Sequence, residues 1–163
     1  MSKNRDAWQP LLHQLEQRNT LSFAMGGTEK VAKQRDRGRL TARERIDALC
    51  DDGSFNEYGA LAGGCHPGGE QPLAGDGVVG GTGDINGRTV VVIAEDFTVK
   101  GGSIGHANAA KRTRLVRLAQ EQLFPLILML DGAGERATNQ TERYPNTPGD
   151  LQLLADLKGI APV

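Results

Sequence analysis

Two runs that favour extended backbone, Val78 to Ile85 and Arg88 to Glu95, are separated by Asn86-Gly87. A tight type I′ turn needs positive φ at both central positions, and Asn and Gly both accept it, so the pair predicts a two-residue β-hairpin. The chain beyond the hairpin narrows the fold further. Residues 104–122 carry Ala107, Ala110, Leu115, Leu118 and Ala119 at helical spacing, and residues 125–130 form an apolar run that reads as a buried strand. Strand, helix, strand implies a parallel, right-handed crossover and therefore an α/β chain.

Upstream, Trp8, Leu11, Leu12 and Leu15 have the i, i+3, i+4, i+7 spacing of a peripheral amphipathic helix over 8–18, with Pro10 placed near its start. A polar helix comes next over 28–37 and is ended by Gly38. Thr41-Ala42-Arg43-Glu44 is a capping box opening a third helix with Ile46 and Leu49 inward, and Asp51-Asp52-Gly53 stops it before a short strand over 55–58. Residues 63–77 form a Gly/Pro-rich loop. After the 125–130 strand the chain turns through Asp131-Gly132-Ala133-Gly134, at the carboxyl end of a strand, where open α/β sheets place ligands. A short helix over 151–158 and a further buried strand beginning over 159–163 complete the predicted elements. The absence of a polar tail after Val163 leads us to expect a piece of a longer polypeptide.

Composition removes several function classes. A chain of 163 residues makes one domain that buries about two thirds of its unfolded surface. Lys plus Arg number 19 against 20 for Asp plus Glu, so nothing in the net charge of -1 draws the chain to polyanions. No apolar run approaches the roughly 20 residues that span a bilayer, and the polar start is no signal peptide, which predicts a soluble cytoplasmic chain. Cys50 and Cys65 are too few for a disulfide framework or a zinc cage, and Cys65-His66 lacks partners at ligand spacing, so no metal is expected. Glycine is abundant, at 22 residues, so many backbone segments must bend sharply or approach one another closely.

Gly75-Asp76-Gly77-Val78-Val79-Gly80 matches the dinucleotide pattern, but a hairpin comes after it where a helix is required. No G-x-S-x-G elbow is present, and Ser103 has no base at a recognisable spacing. Asn139-Gln140-Thr141 is a sequon by coincidence in a cytoplasmic chain. Two basic clusters, 30–45 and 111–117, read either as solvated helix faces or as phosphate ligands. The second lies on the helix that opens after Gly101-Gly102-Ser103, where free amides suit a small phosphorylated ligand. No aromatic residue interleaves with it, so a stacking surface for single-stranded nucleic acid is missing. In Asp131-Gly132-Ala133-Gly134-Glu135-Arg136, small residues after a buried strand let successive N–H groups point at one spot. Such donors stabilise a developing oxyanion by about 3 to 4 kcal/mol each, although the same pattern also serves as an ordinary turn.

Several segments, taken in order, resemble one family. They are Gly38-Arg39-Leu40-Thr41-Ala42-Arg43-Glu44-Arg45-Ile46-Asp47, Asp52-Gly53-Ser54-Phe55, Gly75-Asp76-Gly77-Val78-Val79, and Asp96-Phe97-Thr98-Val99 with Gly101-Gly102-Ser103. The family is the carboxyltransferase (β) subunit of biotin-dependent acyl-CoA carboxylases, of the propionyl-CoA and methylcrotonyl-CoA type. The resemblance implies the crotonase fold, a β-β-α spiral, in subunits of two such domains that assemble as hexamers. Residues 1–50 would then be an N-terminal helical segment and 51–163 part of the first crotonase-like domain.

The family's Ser-Gly-Gly-Ala-Arg loop aligns with residues 132–136, which implies oxyanion-hole amides at Ala133 and Gly134. Phe97, Gly101, Gly102, Ser103 and Gly105, with the helix after them, resemble the CoA-binding region, and Lys111, Gly132 and Arg136 fall at its matching positions. Gly132 stands for the usual Ser, Glu135 for Ala and His106 for a common Glu, which leaves the acyl group open. The implied chemistry needs no side-chain nucleophile: carboxybiotin on a partner carrier domain gives up CO₂, the biotin enolate takes the α-proton of the acyl-CoA, and the thioester enolate captures the CO₂. The implied partners are a biotin carboxylase or biotin carrier subunit, a second carboxyltransferase domain holding the site for biotin, and further copies of the subunit, with neither nucleic acid nor membrane. The piece alone is expected to bind CoA without turnover. Two alternatives stand beside this reading. One is a crotonase-fold enoyl-CoA hydratase or isomerase using Glu135 or Glu142 as acid and base. The other is a non-catalytic polyanion-binding module acting through 111–117, which salt-dependent affinity for long nucleic acid would reveal.

Overall fold

The structure, a computed structural model, describes residues 2–63, 74–136 and 150–163, with side chains from Asp6 and Gly75 onward in the first two stretches. Residues 64–73 of the loop expected over 63–77, Cys65-His66, the sequon at 139–141 and Glu142 lie outside the described residues, and the end of that loop, Ala74–Gly77, is a short 3-10 turn. Three helices come first, α1 (Ser2–Phe23), α2 (Thr28–Asp36) and α3 (Ala42–Leu49), and then β1 (Asn56–Glu57). The hairpin β2 (Val78–Ile85) and β3 (Arg88–Glu95), helix α4 (His106–Gln122), strand β4 (Leu126–Met129) and helix α5 (Asp150–Asp156) complete the order.

The hairpin forms as its turn chemistry dictates. Asn86 and Gly87 sit at φ 51° and 73°, and the ladder runs from Ile85 opposite Arg88 to Val78 opposite Glu95. The Asp51 carboxylate accepts the Asn86 N–H at 3.0 Å and the Gly87 N–H at 2.8 Å, so the turn is fastened to the end of α3. The sheet order is β1-β2-β3-β4, antiparallel except for β3 and β4, which are parallel and joined through α4. One β-β-α step, β2 and β3 with α4, is present among the described residues.

Alternation along β3 divides the core. Val90, Val92 and Ala94 pack with Val79 and with Ala42, Ile46 and Cys50 of the α3 side. Val91 and Ile93 pack with Val78 and with Leu115, Val116 and Ala119 of α4, extended by Leu126, Leu157 and Ala161. A strand covered on both faces must be apolar at successive positions, which is why the run Val90-Val91-Val92-Ile93-Ala94 does not alternate with polar residues. Gly81 is required by the close approach of β1, since a Cβ there would overlap the Asn56 carbonyl.

Two expectations need correction. α1 begins at Ser2, so Pro10 stands inside the helix and not near its start. Proline removes one i to i−4 hydrogen bond, and every residue from Asp6 to Leu21 is exposed, so water can serve the carbonyl left over. The apolar stripe is real but uncovered, with Trp8 61% and Leu11 54% exposed. The strand expected over 159–163 is absent. Gly159 turns at φ 80° and Pro162 has no N–H, so the segment gives β4 one bond, from Leu126 N–H to the Pro162 carbonyl at 2.9 Å. Among the described residues no helix is long and apolar enough to cross a membrane.

The capping box is formed as read: the Thr41 N–H donates to Glu44 Oε2 at 2.8 Å and the Glu44 N–H to Thr41 Oγ1 at 3.3 Å. Thr41 is buried, so its hydroxyl has no ready replacement in water. Thr41→Ala should lower stability by about 1 to 2 kcal/mol, seen as a lower urea midpoint at unchanged slope.

Candidate functional site

Because β3 and β4 are parallel neighbours, the segments leaving them emerge at the same sheet edge. The first begins with Asp96, whose buried carboxylate accepts the Thr98 N–H at 2.9 Å and its hydroxyl at 2.6 Å. Burial pushes the Asp96 carboxyl above the ordinary range, and the Thr98 bonds oppose that rise. The Thr98 hydroxyl in turn accepts the Gly26 N–H at 2.9 Å, tying the N-terminal helices to this segment. Phe97 is half-buried with the Arg39 guanidinium 5.7 Å from its ring centre. Lys100, Gly101 and Gly102 then run at φ 46°, 65° and 64°, a tight left-handed bend.

The second segment, 131–136, is zipped onto the first. The Ala133 N–H donates to the Gly101 carbonyl at 2.9 Å, the Ile104 N–H to the Gly134 carbonyl at 2.8 Å, and the Arg136 N–H to the Ile104 carbonyl at 2.9 Å. A Cβ on Gly102 would stand 2.6 Å from the Asp131 oxygen, and one on Gly132 2.6 Å from the Gly102 oxygen. Glycine is thus demanded at both positions by contact between the two backbones. The family resemblance puts both the Ala133 and Gly134 amides in an oxyanion hole, but the Ala133 N–H is already taken. Gly134, exposed and at φ 88°, has an N–H with no partner among the described residues.

Charged side chains fix this edge from below. Glu95, buried at the end of β3, accepts the Asp131 N–H at 2.7 Å on one carboxylate oxygen and Arg112 Nη1 at 2.6 Å on the other. Arg112, also buried, faces Asp150 of α5 at 2.7 Å through Nε. The Asp131 carboxylate reaches outward to Arg39 at 2.7 Å and Gln34 at 3.3 Å, with Arg45 at 3.7 Å. Arg45 also donates to the Glu95 carbonyl at 2.5 Å.

The phosphate ligands expected from the sequence are largely turned to internal use. Arg136 spends its guanidinium on Asp76 at 2.9 Å, on the Ser103 carbonyl at 2.9 Å and on the Ser103 hydroxyl at 3.3 Å, and lies so close to Gly105 that a Cβ there would overlap it. At the N-terminus of α4 the Asn108 N–H donates to the Asp76 carboxylate at 3.0 Å, so an internal anion occupies that amide. Asn108, fully buried, closes the turn by accepting the Gly105 N–H at 2.9 Å and donating to the Asp76 and Ser103 carbonyls. Lys111 points inward, its ammonium 2.7 Å from the Val78 carbonyl and 3.5 Å from Glu57. A lysine stem three residues after Asn108 lies on the buried face of α4. Arg114 and Arg117 are the exposed members of that cluster. In the 30–45 cluster Arg35 pairs with Glu44, Arg39 with Asp131 and Arg43 with Glu57, while Lys30, Lys33 and Arg37 are exposed.

Sequence reasoning missed Glu95, Asn108, Arg112 and the carboxylate of Asp76 as the groups that shape this edge. A charged residue closing a run as apolar as 90–94, with cations on the next helix, is the signal that could have marked Glu95. Among the described residues no three His, Cys, Asp or Glu side chains gather as a metal site.

The model of the carboxyl transferase domain matches residues 33–152. The propionyl-CoA carboxylase beta chain of Cereibacter sphaeroides is 43% identical over 129 residues, covering 77% of this chain and 25% of that one. The propionyl-CoA carboxylase carboxyltransferase subunit of Haloferax mediterranei is 41% identical over 154 residues, covering 93% of this chain and 30% of that one. The chain thus spans between a quarter and a third of the length of these curated relatives. Among solved structures, the transcarboxylase 12S core with methylmalonyl-coenzyme A bound superposes with a TM-score of 0.72 at 36% identity, over 77% of this chain and 25% of that one. A single-chain, multi-domain long-chain acyl-CoA carboxylase gives 0.81 at 34% identity, over 93% of this chain and 16% of that one. These neighbours are carboxyltransferases of the crotonase-like fold, and the hairpin, α4 and β4 form part of that fold here.

Burial holds the Lys111 ammonium below the usual lysine range, although Glu57 favours its charged form. A base whose folded pKa is depressed destabilises the fold while it is charged, and that penalty is relieved as pH rises through the window between the folded value and about 10.4. The unfolding free energy of the parent, measured relative to Lys111→Met, should therefore improve between neutral pH and pH 10. A constant difference across that range would show that the lysine carries no such penalty.

Proposed function

This chain belongs to the carboxyl transferase domain family, and from that membership we propose that it forms the N-terminal part of an acyl-CoA carboxyltransferase that moves a carboxyl group from carboxybiotin to the α-carbon of an acyl-CoA. The observation that carries the site assignment is the Gly134 N–H, exposed and unbonded among the described residues at the carboxyl end of β4. The Gly134 N–H donates to the thioester oxygen as the α-proton leaves and charge collects there. A preorganised donor of this kind is worth about 10² to 10³ in kcat. Ala133 fixes the turn through its bond to the Gly101 carbonyl and reaches the same oxygen only if that bond opens. The CoA moiety is assigned to the segment of Phe97, Gly101, Gly102 and Ser103, with Gly105 and Gly132 as the small residues that let its backbone pack.

Carboxybiotin, carried on a biotin carrier domain charged by a biotin carboxylase, supplies the carboxyl group. The site for biotin is assigned to a second carboxyltransferase domain. Hexameric assembly is assigned by likeness to the transcarboxylase 12S core, which is itself a hexamer. A cytoplasmic setting and an absence of nucleic-acid and membrane partners complete the proposal. The 111–117 cluster offers little to a polyanion, because Lys111 and Arg112 are buried.

Amide spectra of the chain test the assignment. Propionyl-CoA should shift the Gly134 N–H resonance, while CoA without an acyl group should leave it in place and shift residues of the 97–103 segment. The same sample, given propionyl-CoA and free carboxybiotin, should form no carboxylated product. A Gly134 resonance indifferent to the thioester would remove the oxyanion role, and turnover by the chain alone would remove the need for a second domain.

A further inference from the structure

We propose that Glu95 is the positioning residue of the 131–134 turn, setting through Asp131 the direction in which the Gly134 N–H points. The proposal deepens the site assignment made for Gly134 and rests on it for the use to which that amide is put. Glu95 and Arg112 are both nearly inaccessible, and a buried ion pair is a poor source of stability, because desolvating two charges offsets most of their attraction. Packing alone would be served as well by apolar residues at both positions, as it is along 90–94.

What an apolar pair could not do is accept a backbone N–H. Glu95 divides its two oxygens, one held by Arg112 Nη1 at 2.6 Å and the other receiving the Asp131 N–H at 2.7 Å. Arg112 fixes the carboxylate in one rotamer and is itself faced by Asp150 at 2.7 Å. The same oxygen that takes the Asp131 N–H would stand 2.7 Å from a Cβ on Gly132, so the carboxylate lies against the turn at the next residue as well and leaves room there only for glycine. From the other side, the Asp131 carboxylate is held by Arg39 and Gln34. Asp131 is therefore gripped at its backbone from inside and at its side chain from outside. With the Asp131 N–H on Glu95 and the Ala133 N–H on the Gly101 carbonyl, the Gly134 N–H that follows this doubly held stretch, like the Gly132 N–H within it, has no partner among the described residues.

Two double variants separate positioning from packing. Glu95→Gln with Arg112→Met keeps an oxygen for the Asp131 N–H and removes both charges together. Glu95→Leu with Arg112→Met removes the oxygen as well. In the ligand-free chain, exchange of the Asp131 N–H with deuterium should be about 10-fold faster or more in the Leu variant than in the Gln variant, with β2 and β3 amides protected alike. The response of Gly134 to propionyl-CoA should survive in the Gln variant and vanish in the Leu variant, while binding of CoA itself changes less than about threefold.

Equal Asp131 exchange in the two variants would overturn the proposal. So would loss of sheet protection in either, since Glu95 would then hold the whole fold and not the turn. If the parent Gly134 never responds to the thioester, the functional reading fails, and the Asp131 exchange comparison still decides the role of Glu95.

Discussion

Burial of β3 on both faces is the constraint on which the rest of this structure depends. Five successive apolar residues leave no face of the strand for water, so a helix must cover each side. Helix α3 supplies one cover and α4 the other, and β4 can join only in parallel because α4 returns the chain to the starting edge. Parallel pairing then brings the exits of β3 and β4 together. The candidate site is thus a consequence of how the core is closed, and its residues are those that a pair of emerging backbones requires: glycine where they touch, and charge where they leave the apolar layer.

The two exits are held by different physics. The upper contact is backbone to backbone, three hydrogen bonds over 101–104 and 133–136 with glycine at 102 and 132 where a Cβ would intrude. The lower contact is ionic and buried, with Glu95 between Arg112 and the Asp131 N–H. Hydrogen bonds to a charged acceptor are shorter and stronger than neutral ones, and in a water-poor setting they are also costly to leave unmade. A turn gripped in this way can present an unbonded amide without collapsing onto a carbonyl of its own.

Much of this was legible in the residues, and the reasons differ by element. The hairpin is local: Asn86-Gly87 and the flanking runs carry its turn type and its register, and the structure reproduces both runs residue for residue. The capping box is local too. Pro10 misled because its cost depends on solvent access, which a sequence does not display for a helix exposed from Asp6 to Leu21 and docked only by its last turn. Lys111 misled for the opposite reason, since a lysine in a basic run reads as solvated and only the tertiary structure supplies the Val78 carbonyl and Glu57 that take it inside. The turn at 131–136 was legible as a backbone feature, while which of its amides stays free depends on Gly101, far away in sequence. The carboxyl transferase family was legible from motifs in order, a property independent of any one contact.

Helix α1 carries a consequence for how the molecule melts. It is about 33 Å long at 1.5 Å per residue, and its side chains from Asp6 to Leu21 are all exposed, with Ser22 the first to be buried, against the Ala60 carbonyl at 2.8 Å. Such a helix draws its stability from its own hydrogen bonds and propensities, which are marginal in water and weakened by the proline within it. Its helicity will decline gradually with temperature while the sheet and α4 remain folded, and cleavage after Arg18 will leave the later transition where it was. Ellipticity at 222 nm and the protection of the β2 and β3 amides against exchange will then report different midpoints. A single Tm describes the body built around β3 and not the whole chain.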